Sequence, residues 1–338
     1  MRTNACSRQT AALVVAALCL GCLPRLPAAR GADPLPSWNE GPAKRAIVEL
    51  VDRTTRADSP DFVPVPDRIA TFDNDGTLWC EHPMYVQGMF VIDRLKELLP
   101  RHPEWKERPN FRAAFERDLH QLALYGENGL AEIVMATHAE MTVDEFLATV
   151  RAWMAQARHP RFQRPYTELV YQPMLELLAY LRAHGYTTCI VTGGGIEFVR
   201  AWAEPIYGIP PGQIVGSSIR TKFQLDGDAP RLLRLPEIDF IDDGPGKPVG
   251  INKFLGKVPI AAFGNSDGDL QMLEYTTVGR PGKRLGMIVH HTDAEREYAY
   301  DRDTRVVKLE RALTAAPARG WIVVDMRRDW RRIFAFEK

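Results

Sequence analysis

The stretch Phe72-Asp73-Asn74-Asp75-Gly76-Thr77-Leu78 follows directly on Arg68-Ile69-Ala70-Thr71-Phe72. The first five residues are a short run with β-branched and aromatic members, which reads as a strand. Two carboxylates, two residues apart, stand where that strand ends. In an open α/β sheet, ligands bind beyond the carboxyl ends of the strands. The reading of this stretch as a mere turn or as a site therefore decides the rest. Alone, an Asp/Asn/Gly cluster is most often a turn. Its spacing also misses the EF-hand calcium loop.

Downstream, short apolar runs alternate with helical patterns. A helix over Met174–His184 stops at Gly185, and a strand Thr187–Val191 follows. A Gly-rich turn leads to a helix Glu197–Tyr207, stopped by Gly208. A hairpin spans Ile219–Leu235 with Asp226-Gly227-Asp228 at its tip. Next come a helix from Lys247, a strand Pro259–Phe263, a helix from Asp269, and strands Leu285–His290 and Trp321–Val324. Such alternation predicts a parallel sheet covered by helices on both faces. Residues 84–159 break it with helical periodicity throughout, as in Val91–Leu99, Phe111–Leu124 and a segment opened by the Thr142-x-x-Glu145 capping box. This block reads as an inserted helical cap, with Trp105, Phe115 and Trp153 in its core. A second capping box, Ser37-x-x-Glu40, opens a helix to about Arg56, and Pro60, Pro64 and Pro66 mark a linker. The organisation expected is a leader over 1–31, a helix and linker over 32–66, a core over 67–83 and 160–338, and a cap over 84–159.

Two more strands end in polar, Gly-containing turns. Thr192-Gly193-Gly194-Gly195 enters a helix, where a hydroxyl and backbone N–H groups can bind phosphate. Gly264-Asn265-Ser266-Asp267-Gly268-Asp269 supplies further oxygen ligands. Lys247 and Lys253 lie between them. Each cluster has a bland reading as a turn or a solvated charge. All three fall at strand ends, however, and together they place carboxylates, a phosphate binder and a cation in one crevice.

These motifs resemble those of the haloacid dehalogenase-like hydrolases. Asp73-Asn74-Asp75-Gly76-Thr77-Leu78 is similar to the family's first motif, D-x-D-x-[TV]-L. Thr192 resembles the second, a strand-end lysine the third, and Gly264–Asp269 the fourth. An all-helical insert after the first motif is similar to the phosphoserine phosphatase-like branch. The resemblance implies a three-layer Rossmann-like core with a parallel sheet, and a phosphomonoesterase of small phosphate esters. It implies Asp73 as nucleophile through an aspartyl-phosphate, Asp75 as general acid and base, and Thr192 and Lys247 as their helpers. Asn74, Gly193 and Gly194 would hold phosphate. Mg²⁺ would be held by Asp73, Asp75 through its backbone carbonyl, and Asn265 or Asp269.

The chain departs from that pattern in places. Asn265 stands where the fourth motif usually has an acid, so Asp269 or Asp267 is an alternative ligand. The lysine is Lys247 or Lys253, with Lys247 preferred because it opens a helix. Glu81 lies one residue before the position of the branch's substrate-reading glutamate, and His82 occupies it. Both are candidate substrate contacts or a polar loop at the cap hinge. Phosphoserine- or phosphocholine-like esters fit. Alternatives are a 2-haloacid dehalogenase, which Asp75 argues against, and a non-catalytic cation- or phosphate-binding protein, which Asn265 favours.

The chain's 338 residues carry 43 basic and 43 acidic side chains, and no basic run interleaved with aromatics points to nucleic acid. Arg2 and Arg8 precede the apolar run Ala11–Leu20, with Ala29-Arg30-Gly31 as a cleavage site. This is the pattern of a secretory signal peptide, too short to span a bilayer. Leu20-Gly21-Cys22 also resembles a lipoprotein site, offering Cys22 for lipid attachment. Loss of 1–31 removes four arginines and no acid, leaving a mildly acidic exported chain. Cys80 and Cys189 then make no disulfide framework. The sequence leaves the oligomeric state open.

Overall fold

The computed structural model describes residues 33–302 and 307–337, so the leader, its cleavage site and Cys22 lie outside the described residues. Among the described residues eight strands carry the fold: β1 (Ile69–Phe72), β2 (Thr187–Gly195), β3 (Ile214–Asp226), β4 (Ala229–Phe240), β5 (Ala261–Gly264), β6 (Leu285–Thr292), β7 (Ala299–Tyr300) and β8 (Ile322–Asp325). Their order in one sheet is β4-β3-β2-β1-β5-β6-β7, with β8 also on β6. β1 runs parallel to both β2 and β5, and all four of its residues are buried. That is the profile of a central strand covered on both faces. The chain leaves β1 first toward β2 and later toward β5, so the crevice of the topological switch point opens at Asp73.

Alternation along the strands sorts side chains into two cores. Ile190, Ala261, Phe263 and Met287 pack with the helices Pro42–Thr55 and Gln172–Ala183. Val191, Ala262 and Ile288 pack with Leu270–Thr277 and Arg311–Arg319. Successive side chains point to opposite faces, so the two clusters are the two faces of a three-layer α/β fold. Phe72 and Phe263, partners in register, stack at 4.4 Å directly beneath the first and third strand-end turns. Burying one such ring contributes roughly 1.5–3 kcal/mol.

Between Val86 and Gln156 the regular elements are all helical, and Val91, Leu95, Trp105, Phe111 and Ile133 form a small core of their own. Phe115 packs against that core, whereas Phe90, Phe146 and Val150 join the main one, with Trp153 against it. The β3–β4 hairpin also reaches this block. Arg234, 2 % exposed, donates to the His138 carbonyl, pairs with Glu197 and stacks on Phe146. Cys80 and Cys189 are free and buried. No helix among the described residues is long and apolar enough to cross a membrane.

Several local expectations are corrected. Ser37 and Glu40 form no capping box: Ser37 donates to Glu176, Glu40 pairs with Lys44, and the helix starts at Pro42 after Gly41. A long-range acceptor outcompeted the local one. The Thr142–Glu145 box does form. The helix expected over Phe111–Leu124 breaks at Arg117, which adopts left-handed backbone. That over Glu197–Tyr207 divides into Ile196–Arg200 and Ala203–Tyr207.

Candidate active site

Asp73 leaves β1 with its N–H donated to the Phe263 carbonyl, so the sheet ladder itself aims it. Lys247 Nζ lies 2.6 Å from Asp73 Oδ1, 2.6 Å from Asp269 Oδ1 and 2.9 Å from the Val191 carbonyl. Segments of three strands, β1, β2 and β5, thus meet on one ammonium. Burial alone would pull Lys247 down, but Asp269 and Asp73 hold it well above the ordinary lysine value. Burial and the Asp269 charge push Asp73 up, against the pull of Lys247. Lys253 is exposed on Phe240 and Phe254, away from this cluster.

Asp75 accepts the Trp79 indole N–H at Oδ1, 2.9 Å away. Burial raises its carboxyl, while hydrogen bonds from Trp79 and Asn74 pull it back. Asn74 accepts the Tyr207 hydroxyl at Oδ1. Thr192 is buried at the end of the strand's apolar run, and its Oγ1 accepts the Gly194 N–H.

The glycine turn is not the open phosphate nest the sequence suggested. β2 continues to Gly195 with a bulge against β3, and the helix that follows has five residues. Gly194 N–H is spent on Thr192 and Gly195 N–H on Gln87 Oε1, while the Gly193 carbonyl accepts Ser217. Gly193 still borders the crevice, where its missing Cβ would touch Asp243.

The fourth motif divides its labour. Asp269 Oδ2 accepts the N–H groups of Asn265 and Ser266, and Asp267 Oδ1 accepts those of Glu310 and Ala312. Asp267 therefore caps the helix Arg311–Arg319 through Oδ1. Asn265 donates Nδ2 to Glu81 Oε1 at 2.7 Å, and its Oδ1 accepts Thr77 at 3.2 Å. Glu81 is 2 % exposed and also accepts Tyr300 at 2.5 Å. Desolvation, then the Asp75 and Asp73 charges, raise its carboxyl well above the usual range despite the Tyr300 hydrogen bond. The expected substrate contact at Glu81 is thus engaged inside the protein. His82 is likewise turned onto Tyr300 and Tyr298, beside Glu297 and His291.

Three residues at the crevice escaped the sequence reading. Asp243 is exposed at its mouth, where a Cβ on Gly268 or Gly193 would meet it. Tyr85 stands in the field of Glu81, Asp75, Asp73 and Asp243, and desolvation followed by these charges pushes its phenol well up. Gln87 bridges Gly195 to His138. The Asp242-Asp243-Gly244 run before Lys247 was the available signal. No sequence pattern marks Gln87, which reaches the turn from a helix distant in the chain.

Buried carboxyls at Asp73, Glu81 and Asp269, with half-buried Asp75 beside them, outnumber the single ammonium of Lys247. A hard cation relieves such repulsion. Asp73 Oδ2 takes no hydrogen bond from the described residues, and Asn265 Oδ1 takes one long one. No cluster of three metal-binding His, Cys, Asp or Glu side chains occurs among the described residues. The donors suit a hard divalent ion held by one carboxylate with carbonyl and amide oxygens.

The family model of the haloacid dehalogenase-like hydrolases matches residues 70–274. Among solved structures, a protein of unknown function from Bordetella pertussis Tohama I is 19% identical, covering 77% of this chain and 99% of its own, with a TM-score of 0.49. A conserved functionally unknown protein from Anaerococcus prevotii DSM 20548 is 18% identical over 74% of this chain and 86% of its own, with a TM-score of 0.49. A phosphoserine phosphohydrolase-like protein from Francisella tularensis subsp. tularensis SCHU S4 is 17% identical over 78% and 95%, with a TM-score of 0.40. No curated protein matches the chain.

Proposed function

This chain belongs to the haloacid dehalogenase-like hydrolases, and on that premise we propose that it is an exported, Mg²⁺-dependent phosphomonoesterase acting through Asp73. The observation carrying this reading is the Lys247 ammonium, 2.6 Å from both Asp73 and Asp269 at the switch point of the sheet. One oxygen of Asp73 is thereby oriented and the other is left for attack.

Asp73 Oδ2 forms a bond to phosphorus as the bond to the leaving oxygen breaks. The Asp75 carboxyl, raised by burial, gives its proton to that oxygen. Asp75 then takes a proton from water, which attacks phosphorus, frees phosphate and restores Asp73. Thr192 and Lys247 hold phosphoryl oxygens and offset charge. Asp73, the Asp75 backbone carbonyl and Asn265 would hold Mg²⁺, which when bound neutralises phosphoryl charge. The helices over 86–156 serve as the cap and contribute Gln87 to the site wall.

Tyr85 and Asp243 at the mouth favour esters with an ammonium group, since a carboxylate and an aromatic face both attract such a cation. Phosphocholine- and phosphoethanolamine-like monoesters are the substrate class, in place of contacts from Glu81 and His82. The test is hydrolysis of phosphorylated metabolites with Mg²⁺ by wild type, Asp73→Asn and Asp243→Asn. Asp73→Asn abolishes turnover, and Asp243→Asn raises KM for cationic esters while sparing glycerol phosphate. Turnover surviving in Asp73→Asn sinks the mechanism. The non-catalytic alternative is favoured by the Asn265–Glu81 bond, and it wins if no ester turns over while Mg²⁺ still binds. Export is checked by N-terminal sequencing of the mature chain.

A further inference from the structure

We propose that His291 and Glu297 form a buried relay that fixes the turn at Gly76 and thereby aims the Asp75 carboxyl; for its catalytic consequence this rests on the phosphoryl-transfer reading above. They are positioning residues, since neither touches the crevice.

His291 Nε2 lies 2.7 Å from the Gly76 carbonyl, and its Nδ1 lies 3.1 Å from Glu297 Oε2. A carbonyl and a carboxylate oxygen accept, so each ring nitrogen donates. Glu297 is fully buried and also accepts the Tyr171 hydroxyl at 3.2 Å and the Tyr298 N–H at 2.7 Å. Burial would raise its carboxyl, but the facing His291 draws it below the ordinary range. Arg161 clamps the same loop by donating to the carbonyls of Ala294, Glu295 and Glu297. The histidine itself is locked by Tyr300, its partner across β6 and β7, stacked at 4.3 Å.

The far end of this relay lands on a backbone that has little room. Gly76 has φ of +72°, and a Cβ there would collide with Asn265 Nδ2 and Glu81 Oε1. Its N–H donates to the Trp79 carbonyl, and Trp79 in turn holds Asp75. The Gly76 carbonyl belongs to the planar unit that joins Gly76 to Thr77. Fixing that unit fixes the turn on which Asp75 is carried. A buried His–Glu pair more often cements a fold. Here it is spent on the turn after the nucleophile, where cement and catalysis make different predictions.

The distinguishing readout is the leaving group. A 4-nitrophenolate departs without a proton, whereas an alkoxide needs one from Asp75. In His291→Leu, kcat/KM on an alkyl phosphate such as phosphocholine, which reports transfer to Asp73 and not the later attack of water, should fall roughly 100-fold, a general-acid-sized loss. On 4-nitrophenyl phosphate kcat/KM should fall less than about fivefold. His291→Gln keeps a donor for the Gly76 carbonyl and should recover about tenfold of the alkyl-phosphate loss. Equal losses of kcat/KM on both esters, tracking a fall in Tm, would overturn the assignment. If His291→Leu fails to fold, Glu297→Gln should show the same leaving-group split at a smaller size, and no split overturns it. Hydrogen exchange supplies a readout independent of turnover. Peptides covering 73–81 should exchange faster in the variant while those of Gln172–Ala183 do not change, and unaltered exchange in 73–81 refutes the grip. Wild type inactive on every ester would defeat the phosphatase reading while leaving the exchange result to judge the relay.

Discussion

Two buried polar clusters meet the loop 73–77, and they are built on opposite electrical terms. In one, Lys247 lies 2.6 Å from two carboxylates. In the other, among the described residues the Glu81 carboxyl accepts from two neutral donors, Tyr300 and Asn265 Nδ2. The first stands by Coulombic attraction in a dry site, where losing one partner strands the others. The second is a hydrogen-bond network, where shape and donor count matter more than charge. The contrast separates the wall to which the proposed chemistry is assigned from the wall that holds it in place.

Lys247→Met tests the charged wall most severely. It leaves Asp73 and Asp269 buried and uncompensated, and should lower the unfolding free energy by about 3–5 kcal/mol in denaturant titration. A loss below about 1 kcal/mol would erase the distinction, because it would give the ammonium no more weight than a neutral donor. On the other wall, Glu81→Ala leaves the Tyr300 and Asn265 donors unpaired and should cost about 2 kcal/mol. Glu81→Gln keeps an acceptor and should cost less than about 1 kcal/mol. If Gln is as harmful as Ala, the second cluster is ionic after all.

A third buried group extends the neutral side of the comparison. His138, bonded to Thr137 and Gln87, is pulled to about 3 by burial and then by the Arg234 charge. Below about 6.5 the unfolded chain protonates this histidine and the folded chain does not. Its contribution to stability is therefore intact above that pH and lost as pH falls toward about 3, with a slope of up to about 1.4 kcal/mol per pH unit. His138→Phe should flatten the acid limb of a stability profile, and an unchanged limb would show that His138 opens to water. A small effect is also expected from Tyr300→Phe, about 1 kcal/mol for one hydrogen bond. A loss as large as that of Lys247→Met would mean the two walls are one network.

The residues legible in the sequence are those that a parallel sheet gathers by topology. Asp73, Thr192, Lys247 and Asp269 each sit at or just after a strand end, so alternation of short strands and helices was enough to bring them together. What stayed hidden depends on separations that no local pattern encodes. Gln87 reaches Gly195 across 108 residues, and Tyr300 reaches Glu81 across 219. β7 has two residues, below the length at which period-two alternation can register. Composition misled as well. Asp267 looked like a ligand and caps a helix, and Ser37 looked like a cap and binds Glu176 instead. In each case the short polar side chain found its partner through the tertiary fold.

The stacked pair Phe72 and Phe263 has a thermal consequence. Phe72 precedes Asp73 by one residue, and Ala70, Phe72 and Phe263 all belong to the larger core. Local openings draw on segments with few buried contacts, and this strand is at the other extreme. The Asp73 carboxylate therefore has no cheap sub-global fluctuation through which to be lost. Heat should leave it in place until the sheet melts, so residual activity and the calorimetric transition fall together on one curve.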